Sequence, residues 1–335
     1  MRAYRLCVVA ATLLAFFVVG LGAYVRLNDA GLGCPDWPGC YGHLVGVPNQ
    51  PHEHAAAEQA FPHSPVETGK AWKEMIHRYF AGILGLLILA ICVLAWRHRR
   101  TLPFSPALPT LLLGVVTFQA ALGMWTVTLL LKPAIVTAHL LGGMATLSLL
   151  VVLSLRLRRQ NASETAPIGL RLLGALALLA VIAQIALGGW VSSNYAALAC
   201  VDFPMCNGAW RPDGMDFEHA FHLFRELGQT ADGAELPPAS LLAIHWAHRV
   251  GALLVTLLVG CLALILLRQR PWRHWGWALA LLLGTQVALG ISNVLLSLPL
   301  NLAVAHNVGA AFLLSALVAF NLRANQSARR RNSFS

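Results

Sequence analysis

Lys73-Glu74-Met75-Ile76-His77-Arg78 stands at the mouth of an apolar run that continues from Tyr79 to Trp96. The run is long enough to cross a bilayer. Ionisable residues at the edge of such a segment are costly, so their presence points to function. On a helix Glu74, His77 and Arg78 fall at i, i+3 and i+4 and share one face. A related stretch, His245-Trp246-Ala247-His248-Arg249, recurs far downstream. It keeps the His-Arg pair and puts a histidine where the first copy has glutamate.

Of the 335 residues, 57% are hydrophobic and 11% are charged, against about 25% charged in soluble domains. The composition excludes a soluble protein and predicts an all-α polytopic membrane protein. The net charge of +10 does not mark a nucleic-acid binder, because the basic residues form short clusters between apolar runs. Eight spans are predicted near 6–25, 75–96, 106–130, 134–154, 170–192, 241–267, 275–297 and 302–322. The clusters Arg2/Arg5, Arg97/Arg99/Arg100, Arg156/Arg158/Arg159/Arg171, Arg268/Arg270/Arg273 and Arg323/Arg329–Arg331 all fall on one side of this arrangement. By the positive-inside rule both termini are cytoplasmic, and the long loops, about 26–73 and 193–240, face outward. The first apolar run exceeds the usual core of a signal peptide and is taken as a span. No Arg- and Ser-rich transit segment precedes it, which favours a bacterial plasma (inner) membrane.

The chain repeats itself after four spans. Cys34-Pro-Asp-Trp-Pro-Gly-Cys40 and Cys200-Val-Asp-Phe-Pro-Met-Cys206 share the pattern Cys-x-Asp-aromatic-Pro-x-Cys. His77-Arg78 matches His248-Arg249, Gln119-Ala-Ala-Leu-Gly123 matches Gln286-Val-Ala-Leu-Gly290, and His139 matches His306. An even number of spans per copy gives the copies one orientation, as parallel repeats about an axis along the membrane normal. The expected organisation is therefore two four-helix halves, 1–160 and 161–335, joined by the short polar stretch 156–165. In the second long loop, the apolar spacing from Phe217 to Leu227 predicts an amphipathic helix lying on the outer surface. His52, His54 and His63 in the first loop have no evident partners in the sequence.

The cysteine pairs lie on the side where disulfides persist, and their spacing suits a closed loop; a metal site and a redox-active thiol pair are the rivals. Zinc sites usually use tighter spacings. Cys7, Cys92 and Cys261 fall inside spans, as expected of inert packing residues.

His77, His139, His248 and His306 each lie near the outward end of a span. Antiparallel neighbours bring each pair to one depth inside a bundle. Two opposed histidines between helices suit axial ligation of a haem iron. Arg78 and Arg249, each one residue after a histidine, are candidates for pairing with haem propionates. One buried histidine is more often a helix–helix hydrogen bond; four in a duplicated pattern favour ligation. Gln119, Gln184 and Gln286 read as buried amides in small-residue helix packing. Glu74 is either a carboxylate that takes a proton beside a ligand or a structural ion pair with Lys73, Arg78 or Arg26. His245 either steers His248 or sits at the lipid–water interface.

Taken together, the two four-span halves, the cysteine loops, Glu74-x-x-His77-Arg78 and the histidines of spans four, six and eight resemble the haem A synthase family, in its bacterial cysteine-bearing type. The likeness covers nearly the whole chain. It implies an oxidoreductase that oxidises the C8 methyl of haem O by successive hydroxylation, with loss of water leaving the formyl group of haem A for terminal oxidases. It further implies haem O between His77 and His139 and a haem b cofactor on His248 and His306. Glu74 would be the catalytic carboxylate, and Cys34–Cys40 a disulfide implicated in haem handling. Implied partners are membrane lipid, haem O synthase and oxidase assembly factors, with a homo-oligomer among the compatible arrangements. A pure electron carrier has no need of a carboxylate at one haem alone, whereas an oxidase acting on one of its haems does. A di-haem electron-transfer cytochrome and a haem transporter or chaperone are the alternatives, since a fold does not fix a function.

Overall fold

The computed structural model describes residues 2–101, 105–157 and 166–325. Its helices are α1 (Arg2–Leu27), α2 (Pro51–Ala60), α3 (Thr68–Arg97), α4 (Ala107–Thr128), α5 (Pro133–Arg156), α6 (Ile168–Ser193), α7 (Phe217–Ala220), α8 (Pro238–Leu267), α9 (Arg273–Leu295) and α10 (Leu300–Asn325). Among the described residues there is no β-strand. All but α2 and α7 are long and apolar enough to span a membrane, which makes this a multi-pass membrane protein, with the eight spans where the apolar runs predict them. Arg158, Arg159, Arg329 to Arg331 and most of the stretch 156–165 lie outside the described residues.

The spans are apolar all round, and burial divides each into two stripes. On α1 the buried residues Tyr4, Val8, Ala11 and Ala15 recur at three- and four-residue intervals, while Leu6, Val9, Leu13 and Phe17 are exposed. On α8, Val255, Val259, Leu262 and Leu266 are buried, and Leu253, Leu254, Leu257 and Leu264 are exposed. A water-soluble helix would carry polar residues on the exposed stripe; lipid accepts leucine there. Lipid tails are as apolar as leucine, so close packing and interhelical hydrogen bonds hold the spans together.

The chain forms two compact units, Met1–Thr146 with Glu218–Pro237, and Leu147–Phe217 with Pro238–Ser335. In the first, α1 packs on α3 and α3 on α4; in the second, α6, α8, α9 and α10 close a ring in which each helix touches the next. The tight turns after α4 and α9 are alike. Leu130 and Leu131 have φ of 50° and 58°, and Ser297 and Leu298 have 56° and 62°. Leu131 N–H donates to Thr126 C=O at 2.9 Å and Leu298 N–H to Asn293 C=O at 2.7 Å. Such left-handed pairs are uncommon outside glycine, so their recurrence supports the repeat.

The long loops depart from expectation in two places. The first contains a helix of its own, α2. Its start carries Pro51 and a capping box between Gln50 and Glu53, a signal visible in sequence. His54, one of the loop histidines, shares a 3.4 Å hydrogen bond with Thr68. In the second loop the helix expected from Phe217 to Leu227 stops at Ala220. Beyond it Arg225 is buried and donates to Gln229 C=O at 3.1 Å. Gly228 has φ +74°, and Glu226 pairs with Lys132 at 2.7 Å. These contacts bind the backbone in an irregular course that a helix would break.

Candidate functional site

Both cysteine pairs are disulfides, Cys34–Cys40 and Cys200–Cys206, each with Cα atoms 4.8 Å apart. The motif aspartate folds each loop from within. Asp36 accepts from the N–H of Tyr41 at 2.6 Å and of Gly42 at 2.8 Å. Asp202 accepts from Asn207 at 2.5 Å and Gly208 at 2.8 Å. Tyr41-Gly42 and Asn207-Gly208 adopt positive φ, 50° and 80° against 53° and 81°, the hairpin-turn geometry in which Asn-Gly is favoured. The N–H groups of Gly208 and Asn207, with Arg249 beyond them, hold the Asp202 carboxyl below the usual aspartate range. Burial pushes the Tyr41 phenol up, with Glu67, Glu74 and Asp36 adding to it; its hydroxyl donates to Pro65 C=O at 3.0 Å.

Each loop is seated on the helix that follows it. Over α3 the seat is a small core of Cys34, Cys40, Tyr41, Val47, Ala71 and Met75. A Cβ on Gly33 would lie 2.6 Å from the backbone of Lys70, so only glycine permits this approach. Arg78 donates to the carbonyls of Asp36 at 3.0 Å, Pro38 at 3.3 Å and Gly39, and pairs with Glu74 at 2.5 Å. Glu74 is 5% exposed, and its other oxygen accepts from Cys34 N–H at 3.0 Å. The second unit repeats this. Arg249 donates to Asp202 C=O at 2.8 Å, Met205 C=O at 2.7 Å and Cys200 C=O at 3.2 Å. His245 Nδ1 accepts from Cys200 N–H at 3.2 Å, and its other ring nitrogen lies 3.3 Å from Arg249 Nε. His245 therefore anchors the loop, a role that neither sequence reading of it contained. Of the ion pairs considered for Glu74, the one made is with Arg78. Lys73 instead donates to Asn28 at 3.1 Å.

The four histidines lie below these loops. His77 and His139 belong to the first unit, His248 and His306 to the second. Each ring rests on a glycine of the preceding span. A Cβ on Gly22, Gly123, Gly188 or Gly290 would stand 3.1, 3.1, 3.2 or 3.1 Å from the ring of His77, His139, His248 or His306 respectively. Nδ1 of His139 and of His306 is buried with no hydrogen-bond partner among the described residues. An unpartnered imidazole nitrogen in an apolar bundle is expensive unless another group uses it. A planar prosthetic group with an iron that takes nitrogen ligands suits this donor set. Among the described residues no cluster of three His, Cys, Asp or Glu could hold a bare metal ion.

The glutamines prove more specific than general helix packing. Gln119 donates to His139 C=O at 2.6 Å, Gln184 to His248 C=O at 2.9 Å and Gln286 to His306 C=O at 3.0 Å. Their Oε1 atoms lie over Gly142, Gly251 and Gly309, where a Cβ would collide. The sequence signal was the pairing of Gln-x-x-x-Gly with His-x-x-Gly. Of the span cysteines, Cys92 is buried, while Cys261 is exposed and does not pack as expected.

Fold and site together define a class: a polytopic helical membrane protein with a pair of glycine-backed histidines in each of two units. The chain belongs to the COX15-CtaA family, cytochrome oxidase assembly protein, whose model matches residues 5–318. It is 47% identical over 307 residues to a heme A synthase of Shewanella oneidensis, covering 91% of each chain. It is 29% identical over 296 residues to a heme A synthase of Halalkalibacterium halodurans, covering 85% of each. A third heme A synthase, from Chelativorans sp., is 28% identical over 337 residues, covering 93% of this chain and 88% of that protein.

Proposed function

We propose that this chain is a haem A synthase, oxidising the C8 methyl of haem O to the formyl group of haem A. The observation that carries it is an asymmetry between two similar sites: both have paired histidines, a disulfide loop and an arginine, and among the described residues only the first has a buried carboxylate, Glu74. His77 and His139 hold the substrate haem O, and His248 and His306 hold a resident haem b. The haem irons supply the redox chemistry. The family resemblance supports haem b as the resident cofactor, and the second unit's lack of a carboxylate at the position of Glu74 supports its being the site that does not turn its haem over.

Turning a methyl into a formyl group removes protons as well as electrons, so the substrate site needs a proton acceptor that the cofactor site does not. Glu74 is that acceptor. Arg78 and the Cys34 N–H hold its two oxygens in place. The same arginine seats the loop, so the loop and the base are held as one piece. Both arginines spend donors on backbone carbonyls, and a propionate would share the fork with them. The positions of the basic clusters support cytoplasmic termini and disulfide loops on the outer side of a bacterial plasma membrane. Haem O synthase and oxidase assembly factors are the fitting partners, and 1–160 and 161–335 the functional halves.

The test is pigment extraction from cells that make haem O and express this chain. Haem A or its hydroxylated precursor is expected. Unmodified haem returned by an intact protein would overturn the proposal and favour an electron carrier.

A further inference from the structure

The two units present four helix seams, each with a histidine against a glycine. Three are locked in the same way. Gln119, Gln184 and Gln286 each sit four residues before the glycine, and each donates to the main-chain carbonyl of the histidine across the seam. Each amide oxygen lies over a glycine three residues after that histidine: Gly142, Gly251 or Gly309. The fourth seam, between α1 and α3, has the glycine, Gly22, but neither part of the lock. Val18 occupies the glutamine's place and Phe80 the place of the second glycine. Phe80 makes an edge contact with Phe17 instead, ring centroids 4.8 Å apart. The exception lies in the half that carries Glu74, and His248, the repeat counterpart of His77, keeps its lock.

We propose that His77 is the displaceable axial ligand, and that haem enters and leaves the first half by parting of the α1–α3 seam. This rests on the assignment of the substrate haem to His77 and His139. A resident cofactor favours a seam that stays shut, and a substrate requires one that opens. In the locked seams the amide holds the carbonyl of the ligand residue itself, so the ring cannot swing away unless an interhelical hydrogen bond breaks. At His77 no glutamine holds the ligand's own carbonyl; Lys73 reaches Asn28 at the end of α1 at 3.1 Å, a contact that does not involve the His77 ring or its carbonyl. His139 remains fixed by Gln119 and keeps the haem oriented while His77 is released.

The experiment follows haem release from the full-length protein, loaded with haem O and haem b in detergent, to excess apomyoglobin. The haem remaining on the protein is extracted and separated by chromatography at intervals. Haem O is expected to leave before haem b. Installing the lock with V18Q/F80G should slow haem O loss by roughly three- to tenfold, the worth of one interhelical hydrogen bond, with haem b loss unchanged. Removing a lock with Gln184→Val should speed haem b loss by a similar factor. Retained haem b reports an intact fold in the first variant, and Gln184→Val carries the test if that variant does not fold. Haem O bound through His77 and His139 but released at an unaltered rate, with Gln184→Val also unchanged, overturns this inference alone. Haem O retention indifferent to His77→Ala and His139→Ala overturns the site assignment, and this inference with it.

Discussion

Glu74 and His245 accept the same hydrogen bond. Each is buried, each takes the backbone N–H of the first cysteine of its disulfide loop, at 3.0 and 3.2 Å, and each lies against the arginine four residues on. Exchanging glutamate for histidine thus preserves the seating of the loop and changes only the charge and proton affinity of the acceptor. The structural role of Glu74 is therefore compatible with the proposed catalytic one, since one side chain can serve both.

This equivalence gives a sharp variant. Glu74→His copies the second unit's arrangement into the first. It should accumulate with its disulfide closed and haem bound, while haem A formation falls about a hundredfold or more, as for loss of a general base. Extraction of haem from expressing cells measures this. Haem A at the wild-type level would show that the carboxylate is not the base.

Arg249→Lys should loosen the second loop. A lysine is a point charge and cannot serve three carbonyls as a guanidinium fork does. Losing the contacts to Cys200, Asp202 and Met205 should cost about 1–3 kcal/mol. Thermal unfolding in detergent reads the loss, and faster reduction of Cys200–Cys206 by added thiol reports where it falls. No change in either would refute the clamp.

The glycines under the rings should be intolerant of a methyl group. Gly123→Ala and Gly290→Ala put a Cβ 3.1 Å from Cε1 of His139 and His306, so the ring must tilt. The low-spin electron paramagnetic resonance signal of the haem on that histidine should shift or weaken. Gly85→Ala on α3, where a Cβ meets nothing within 4 Å, is the control and should leave the signal alone. Equal spectra for all three would remove the argument for a close cradle.

The second loop should loosen in acid. Because Gly208 and Asn207 N–H groups hold the Asp202 carboxyl below its ordinary range, its contribution is complete above the unfolded value of about 3.9. It is lost as pH falls through the lower folded value. Hydrogen exchange at the Asn207 and Gly208 amides, followed from about pH 6 downward and corrected for intrinsic rates, should show protection lost only near the acid end. Asp202→Asn should abolish that pH dependence; an unchanged profile in the variant would place the titration elsewhere.

The likeness of the two cysteine loops, Asp36 and Asp202 included, could be read directly from Cys-x-Asp-aromatic-Pro-x-Cys. The purpose of the aspartate could not, because it depends on which N–H groups the folded turn aims at it. The helix expected beyond Ala220 failed for a related reason. Apolar spacing from Phe217 to Leu227 records a pattern, while Arg225, Glu226 and Gly228 fix the backbone through contacts distant from it.

By itself the sequence determined the eight spans, the repeat, the two cysteine loops and the four histidines. These depend on which residues lipid excludes and on spacing along a helix, both of which are local. Tertiary structure decided that Arg78 and Arg249 grip loop carbonyls, that each histidine lies on a glycine, and that three glutamines hold the carbonyls of three histidines. Backbone carbonyls are the same at every position and carry no mark in sequence, so their partners become known only once the helices are packed.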